Sequence, residues 1–431
     1  MLFPKTVLDQ IARDSGFIKR SRKINSLNLL AALTELCLHR SPGFNDLAAA
    51  IQSRDGAEPS RQAVALRFKQ GLLLFLQTLL AWVISGKGAQ EIQSRQAADP
   101  GFLDYRRVLV QDSTIIQLPT ALFPSFSGVS NATTSVCNAR IQAVYELRSA
   151  KLLTFSIDSY SKNDLSAAPA LDIQQGDLVL RDRGYLTASE IQRHVAAGAD
   201  LIYRHKTGFP YLDVDTEQPV DLLGLLQKHG TLDLEVLLNN PERTRVRLLT
   251  APVSGEIANL RRMRAKKETK GHQPSQAVLA LMDWTLFITT ITAKKADFKK
   301  ILQLYGLRWR IEVIFKAWKS HLKFGVLHQV SVTQMRILLY ARLLVIAAAS
   351  GLYRRIEEVL WKQHKARLSL LKFINYLAIR PNNLLSVIRW AKGDLGDGGA
   401  STALIKALAR YFCYGKPKTR RNFTEIWEEL A

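Results

Sequence analysis

The spacing of apolar residues changes twice along this 431-residue chain, and these changes limit the folds open to it. Residues 1–100 contain segments such as SLNLLAALTELCLHR, in which apolar side chains recur at helical spacing. From about residue 105 the pattern becomes short, β-branched apolar runs, including RRVLVQDSTIIQL and GDLVLRDRGY, which are typical of strands. From Asp297 the helical spacing returns. We therefore predict an α/β fold in which a mixed sheet with helices lies between helical N- and C-terminal regions.

The same changes divide the chain into four predicted regions. They are a helical domain over residues 1–100, a core over 101–205 and 284–325, a β-rich insertion domain over 206–283, and a helical C-terminal region over 326–431. The insertion contains a basic stretch, RRMRAKKETK, that we expect to be an exposed arm. The apolar C-terminal segment QMRILLYARLLVIAAASGLY either pairs two protomers or packs within its own domain.

Net charge and simple counts narrow the class of protein. The sequence has 60 Lys+Arg against 37 Asp+Glu, a charge of +23, which favours a polyanion partner, although a merely basic or ribosome-associated protein is the alternative. Its three cysteines are far apart, which argues against a disulfide scaffold or a zinc ribbon. The first residues lack a signal peptide's apolar run, and the uncharged, mainly apolar stretch over residues 70–86 is shorter than a membrane helix. We expect a cytoplasmic protein with no membrane partner.

A short polar link containing Pro59 joins two helical segments near the N-terminus. Ser60 is a suitable N-cap for the second segment. That cap would place three polar side chains outwards, Arg61, Gln62 and Arg67, and three apolar side chains inwards, Ala63, Val64 and Leu66. The arrangement is similar to a helix-turn-helix with the second helix as DNA reader, while an ordinary pair of packed helices is the alternative.

Two aspartates occupy equivalent places at the carboxyl ends of predicted strands. In VLVQD the alternation puts Asp112 on the same face as two core residues, and in LVLRD it does the same for Asp182. Acids so placed emerge at the rim of a sheet, where α/β folds build sites. A strand-end aspartate is also a common turn or cap residue, so neither position is diagnostic alone.

A third acid lies in the segment YGLRWRIEVIFKAWKSHLKF. At about 100° per residue, a single helix places Tyr305, Arg308, Glu312 and Lys319 within an arc of roughly 60°. An adjoining apolar face consists of Ile311, Ile314, Phe315, Trp318 and Leu322. The alternative is a solvated stripe in which the arginine and the glutamate form a weak i,i+4 pair.

Three carboxylates on two strand ends and a later helix suit a two-metal site. Two divalent ions about 4 Å apart clamp the attacking and leaving oxygens of a phosphoryl transfer. Hard oxygen ligands favour Mg²⁺ or Mn²⁺. The combination of Asp112, Asp182 and Glu312 therefore indicates metal-dependent phosphoryl transfer, with the neighbouring cations facing the phosphate.

At these residues the sequence resembles the IS4-type DDE transposases, which share an RNase H-like catalytic core. The family's helix motif is Tyr, two residues, Arg, three residues, Glu, six residues and Lys, and Tyr305, Arg308, Glu312 and Lys319 match it without a gap. The segments QDST and DRGY match its first and second acid motifs. The resemblance covers residues 30–340 and implies an RNase H-like mixed sheet with a β-rich insertion before the last acid.

The resemblance implies a DNA transposase that binds the terminal inverted repeats of its own insertion element and carries out strand cleavage and strand transfer. Asp112, Asp182 and Glu312 would be the catalytic metal ligands, holding Mg²⁺ or Mn²⁺, two ions in all. Phosphate contacts would come from Tyr305, Arg308 and Lys319. Members of the family work as a synaptic homodimer on double-stranded DNA, which implies the bacterial nucleoid as the place of action.

One further residue follows from the same resemblance. Some relatives stack a Trp on a base flipped out of the duplex, and Trp284 stands in the matching place, although a Trp that closes the core is an equal alternative. Two other functions remain open, a domesticated DNA-binding regulator that does not cleave and an RNase H-like nuclease that does not join strands.

Overall fold

The computed structural model describes residues 4–20, 23–37, 41–85, 105–128, 136–162, 164–268, 273–328, 330–379, 381–393 and 399–415. The chain forms two compact units, each assembled from separate stretches of sequence. Unit 1 comprises Met1–Ala98, Ser113–Pro169 and Arg310–Arg420. Unit 2 comprises Asp99–Asp112, Ala170–Trp309 and Arg421–Ala431. The predicted domain boundaries divide the chain differently and stay a prediction.

The N-terminal part of unit 1 is helical, as the spacing of apolar residues predicts. Its helices are α1 (Lys5–Asp14), α2 (Ser26–Cys37), α3 (Phe44–Asp55), α4 (Arg61–Ala65) and α5 (Gln70–Ile84). Helix α3 ends at Gly56, whose φ of 71° closes the helix in the left-handed conformation that glycine adopts without strain. Helix α5 buries seven of its apolar side chains, which explains its nearly uncharged sequence without a membrane.

The C-terminal part of unit 1 is built around one long helix. Its helices are α12 (Trp309–Ser320), α13 (Val332–His364), α14 (Leu370–Ile379), α15 (Pro381–Lys392) and α16 (Gly399–Tyr411). By length and composition, α13 is the one helix in the described ranges that is apolar enough to cross a membrane, but 72% of its most apolar window is buried within the protein. It packs against α2 and α5 and therefore serves as a core helix of unit 1.

Unit 1 also contains strands and a short helix. The second half of β1 (Arg107–Gln117) neighbours β2 (Asn138–Glu146). Strand β2 pairs antiparallel with β3 (Lys151–Ser159), and the short helix α6 (Asp164–Ala167) follows β3 in the chain. Strand β2 is buried along almost its whole length, including three polar side chains, Arg140, Gln142 and Glu146. Helices α5 and α13 cover β3, so the strands of unit 1 share a core with its long helices.

Unit 2 carries a mixed sheet. Its strands are the first half of β1, β4 (Asp177–Arg181), β5 (Asp200–Arg204), β6 (Tyr211–Leu212), β7 (Leu232–Leu238), β8 (Arg245–Pro252) and β9 (Trp284–Thr289), in the order β1-β4-β5-β9-β8-β7-β6. The pairs β1·β4 and β4·β5 are parallel, whereas β5·β9 and the pairs beyond it are antiparallel. These parallel and antiparallel pairs confirm the predicted α/β class with a mixed sheet.

The segment predicted as an insertion extends this sheet. Strands β7 and β8 pair with each other, and β8 pairs with β9, so their ladder is continuous with the strands of the core. The other elements of unit 2 are α7 (Ala188–Ala196), α8 (Leu222–His229), α9 (Gly255–Glu268), α10 (Gln276–Ala280) and α11 (Phe298–Gly306). Helix α7 follows Thr187, whose hydroxyl accepts from the Glu190 amide and so caps the helix.

The basic stretch in the insertion is a helix rather than an open arm. It lies on α9, where Arg261 donates to the Trp284 carbonyl at 2.8 Å and Arg262 donates to Asp283 at 2.5 Å. The expectation of a wholly exposed stretch is therefore wrong for these two arginines, because each has a partner within unit 2. Arg264, Lys266 and Lys267 are exposed. Residues 269–272 lie outside the described residues.

Candidate active site

Strands β1 and β4 bring the two predicted catalytic aspartates side by side. The strands pair in parallel from Arg107↔Asp177 to Gln111↔Arg181, and Asp112 and Asp182 each follow this last pair directly. Neighbouring strands lie about 5 Å apart, and equivalent positions of a parallel pair point to the same face. Both aspartates are partly exposed, so this face is open to solvent at their position.

The prediction that both aspartates end a strand is correct for only one of them. Strand β4 stops at Arg181, and Asp182 begins the short 3₁₀ turn Arg183–Tyr185. Strand β1 continues past Asp112 to Gln117. The ladder with β4 ends at Gln111, however, so Asp112 lies where the parallel pairing stops rather than where the strand stops.

Two side chains of the helix motif contact these aspartates. Arg308 Nη1 donates to Asp112 Oδ2 at 2.9 Å, and the Tyr305 hydroxyl donates to Asp182 Oδ1 at 3.3 Å. Burial raises the pKa of Tyr305, and the charge of Asp182 acts in the same direction against the opposing effect of Arg308. The phenol is therefore protonated at neutral pH and keeps its donor. Within unit 2 the structure thus gathers Asp112, Asp182, Tyr305 and Arg308.

The predicted single helix through this motif is interrupted. Helix α11 ends at Gly306, and α12 begins at Trp309. The intervening turn is closed by bonds to residues three positions earlier, from the Leu307 amide to the Leu304 carbonyl at 3.1 Å and from the Arg308 amide to the Tyr305 carbonyl at 3.0 Å. Glycine weakens a helix by about 1 kcal/mol relative to alanine, which favours a break at this place.

The interruption divides the motif between the two units. Tyr305 and Arg308 belong to unit 2, whereas Glu312 and Lys319 belong to unit 1. Glu312 is half-buried in the first turn of α12, and Lys319 is exposed in its last turn. Across the described part of the chain, no group of three His, Cys, Asp or Glu side chains is drawn together as a metal site. The three-carboxylate metal set therefore stays a prediction.

Helix α12 is anchored in unit 1 by the apolar face that the sequence predicts. Its side chains at that face are all buried, namely Ile311, Ile314, Phe315, Trp318 and, just after the helix, Leu322. Trp318 is fully enclosed, and its ring lies 5.2 Å from that of Phe315 and 5.6 Å from those of Phe155 and Phe324. Glu312 and Lys319 lie outside this buried set, as expected of residues that face a partner.

A buried arginine adds a second anchor to α12. Arg310 is 4% exposed, and its guanidinium donates to the Tyr353 hydroxyl at 2.9 Å and to the Tyr414 hydroxyl at 3.2 Å. The Tyr353 hydroxyl in turn donates to the Leu368 carbonyl at 2.8 Å. Residues from three separate segments of unit 1 therefore meet at the start of the helix that carries Glu312.

The surroundings of Trp284 include a structural contact. Its indole Nε1 donates to the Gly230 carbonyl at 2.6 Å, and the ring packs against a leucine cluster, Leu226, Leu232 and Leu286. These contacts hold the ring within unit 2. The predicted stacking on a flipped base stays a prediction.

The N-terminal residues predicted to read DNA lie on a very short helix. Ser60 caps α4 as predicted, accepting from the Ala63 amide, and Arg61 and Gln62 are exposed. Two details of the prediction are wrong. Leu66 is 64% exposed because the helix ends before it, and Arg67 is partly buried, donating to the Phe17 carbonyl at 3.3 Å.

Several polar residues beside the site were not singled out from the sequence. Gln111 and Arg181 precede the two aspartates and are buried, and Arg310 lies two positions before Glu312. The available signal was a charged or amide side chain inside an apolar run, as in LVLRD. Such a residue needs internal partners when both faces of its strand are covered.

Comparison with known proteins identifies the family to which the chain belongs. The family described as "Transposase DDE domain" matches residues 105–348, more than half of the chain. The transposase of insertion sequence element IS231C from Bacillus thuringiensis subsp. berliner is 26% identical over 97% of this chain and 90% of its own length. The corresponding values are 24%, 90% and 85% for the IS231B transposase of the same organism, and 22%, 96% and 91% for the IS1151 transposase of Clostridium perfringens. The chain therefore belongs to the family of transposases with a DDE domain.

Proposed function

We propose that this transposase binds the terminal inverted repeats of its own insertion element and moves that element by cut-and-paste transposition. The observation that carries the proposal is the placement of Asp112 and Asp182 directly after the last pair of two adjacent parallel strands, next to Tyr305 and Arg308, inside the segment that matches the family. Carboxylates paired in this way, with donors beside them, suit a reaction at a phosphodiester.

The donor set fits a hard divalent cation. Asp112, Asp182 and Glu312 offer only carboxylate oxygens, which are the ligands that Mg²⁺ and Mn²⁺ prefer. Asp112 Oδ2 already accepts from the Arg308 guanidinium at 2.9 Å, so this oxygen is placed to contact a positively charged group. When bound, one or two such ions would activate water and stabilise the charge on the scissile phosphate.

The remaining residues of the motif have roles that follow from their chemistry. Arg308 presents a guanidinium at the aspartates and can pass from a carboxylate to a phosphate oxygen, which it matches equally well. Tyr305 holds Asp182 in place through its protonated hydroxyl. Lys319 is exposed and free to reach the DNA backbone. Hydrolysis followed by attack of the freed 3′-hydroxyl requires no covalent bond to the protein.

The partners follow from charge and from the family. A formal charge of +23 favours a long polyanion such as double-stranded DNA. We propose a homodimer that holds two element ends, acting at the bacterial nucleoid. Arg61 and Gln62 would contribute to end binding, and Trp284 would stack on a flipped base.

The test uses DNA that carries the element's own ends, with Mg²⁺, and three neutral near-isosteric variants, Asp112→Asn, Asp182→Asn and Glu312→Gln. We expect each variant to lose strand cleavage while retaining end binding, because the amide removes the charge of one carboxylate and keeps nearly the same shape. Metal-dependent cleavage by all three variants would refute the assignment. A wild-type protein that cuts without joining would be a nuclease, and one that binds without cutting would be a regulator.

A further inference from the structure

We propose that Gln111 and Arg181 are positioning residues that hold the two aspartates at a fixed separation through a buried bond between β1 and β4. The inference rests on the proposed function, in which Asp112 and Asp182 act on one substrate. Neither residue touches the open face itself. Because side chains alternate along a strand, Gln111 and Arg181 point to the face opposite the aspartates that follow them.

The bond lies at the last step of the ladder. Gln111 and Arg181 are register partners, and the Arg181 Nη2 donates to the Gln111 Oε1. Beyond this pair the two strands no longer pair, so nothing further along the ladder holds Asp112 beside Asp182. Catalytic groups have to be held within about 0.5 Å of the productive geometry. The last bonded pair therefore sets how well the two carboxylates are aligned.

Arg181 is itself fixed from two other elements. It is 1% exposed, and its Nη1 donates to Glu190 Oε2 of α7 at 2.6 Å and to the Tyr203 hydroxyl of β5 at 3.2 Å. Its guanidinium also lies 5.3 Å from the centre of the Tyr185 ring. A planar guanidinium held on several sides leaves a single direction for the bond to Gln111. Because α7 and β5 also hold Arg181, the separation of β1 and β4 does not depend on these two strands alone.

Gln111 uses only one end of its amide in this arrangement. The side chain is fully buried, and its Nε2 has no hydrogen-bond partner among the residues that the structure describes. A buried donor without a partner lowers the stability of the fold, so a glutamine at position 111 does not serve to satisfy its own hydrogen-bonding groups. An acceptor for Arg181 at this one position explains it.

The far end of the same strand pair provides a matched control. Arg107 and Asp177 form the first register pair, with Arg107 Nε and Nη2 donating to the two carboxylate oxygens at 2.9 and 2.6 Å. Four residues, or about 13 Å of strand, separate this pair from the Gln111–Arg181 pair. Both pairs join β1 to β4 through an arginine, but only the second adjoins the aspartates.

The experiment measures Mn²⁺ affinity by electron paramagnetic resonance without DNA, and separately the cleavage rate at saturating DNA. For Gln111→Leu we expect both Mn²⁺ affinity and cleavage rate to fall about tenfold, the usual effect of removing a residue that orients a metal ligand, with unchanged DNA affinity. Gln111→Glu, which keeps an oxygen acceptor, should restore most of both. Arg107→Gln should lower the melting temperature but leave Mn²⁺ affinity and cleavage unchanged.

Two results would overturn the inference. One is a loss of Mn²⁺ affinity that is proportional to the loss of melting temperature, by the same factor in Gln111→Leu and in Arg107→Gln. The Gln111–Arg181 bond would then only stabilise the fold. The other is Mn²⁺ binding that Asp112→Asn does not alter, because the aspartates would then hold no cation to be aligned. A wild-type protein that binds Mn²⁺ through Asp112 but does not transpose would refute the proposed function alone, and the Mn²⁺ affinities would still decide the inference.

Discussion

The two units hold their predicted catalytic residues by different means. In unit 2, Asp112 and Asp182 directly follow the last pair of a parallel backbone ladder, which has a partly buried Arg107–Asp177 bond at its start and a buried Gln111–Arg181 bond at its end. In unit 1, Glu312 lies in the first turn of a helix that is anchored by a buried apolar face and by the hydrogen bonds of Arg310. In a ladder, many backbone hydrogen bonds share in holding a residue in place, whereas the end of a helix depends on a few anchoring side chains. Single substitutions should therefore affect the two units unequally.

Arg310 gives the largest expected effect. Arg310→Ala leaves the hydroxyls of Tyr353 and Tyr414 without their buried donor partner, and we expect the free energy of unfolding to fall by about 1–3 kcal/mol for each hydroxyl. Lys316→Ala, an exposed change on the same helix, is the control and should stay within about 0.5 kcal/mol. Urea unfolding followed by tryptophan fluorescence measures both. A loss below about 1 kcal/mol for Arg310→Ala would contradict the idea that this helix depends on its few anchors.

A fall in pH should destabilise unit 2 more than unit 1, whereas Arg310→Ala acts on unit 1. In unit 2, burial lowers the pKa of His194 to about 4, aided by the charge of Arg181, and burial alone lowers the pKa of His205 to about 4. Both side chains stay neutral in the folded protein at pH 5 but take up a proton when unfolded. Stability is therefore lost as the pH falls from about 6.5 towards 4, and between pH 7 and 5 each histidine costs roughly 2 kcal/mol.

Hydrogen exchange at pH 7 and 5 measures this loss locally, after correction for the intrinsic pH dependence of the exchange rate. We expect amides of β5, beside His205, to lose more protection than amides of α12. The half-buried His321 after α12 has a pKa lowered in the same direction by burial, which is why the comparison needs a control variant. His194→Gln together with His205→Gln should remove most of the difference. Equal losses in both units, unchanged by this variant, would show that the histidines are not the cause.

Trp284 has a smaller expected effect, and it separates a core role from a DNA role. Trp284→Phe keeps an aromatic ring on the leucine cluster but removes the bond to the Gly230 carbonyl, so stability should fall by about 1 kcal/mol. If the ring also stacks on a flipped base, Trp284→Ala should slow the chemical step beyond the effect of its lower stability. Cleavage rates on DNA with and without an unpaired base at the cut site measure this. A rate that does not depend on that base would leave Trp284 with a structural role alone.

Some of this arrangement was accessible from the sequence and some was not. The strand content, the matching placement of Asp112 and Asp182, and the buried face of α12 follow from local periodicity, which survives folding when a segment forms one regular element. The break after Gly306 was missed because the apolar spacing continues across it. The pairing of Gln111 with Arg181 was missed because register between distant strands depends on tertiary contacts that no local pattern encodes.

Lys319 completes the comparison with the smallest expected change in stability. It is exposed in the last turn of α12, so Lys319→Ala should alter the free energy of unfolding by less than about 0.5 kcal/mol. If it contacts a DNA phosphate, end binding should weaken, and the slope of log affinity against log salt should fall by about 1. Lys316→Ala, an exposed position on the same helix, separates a specific contact from a general loss of charge. Equal slopes for the two variants would mean that Lys319 contributes only bulk charge, whereas a shallower slope for Lys319→Ala alone would show that unit 1 reaches the DNA through the motif lysine.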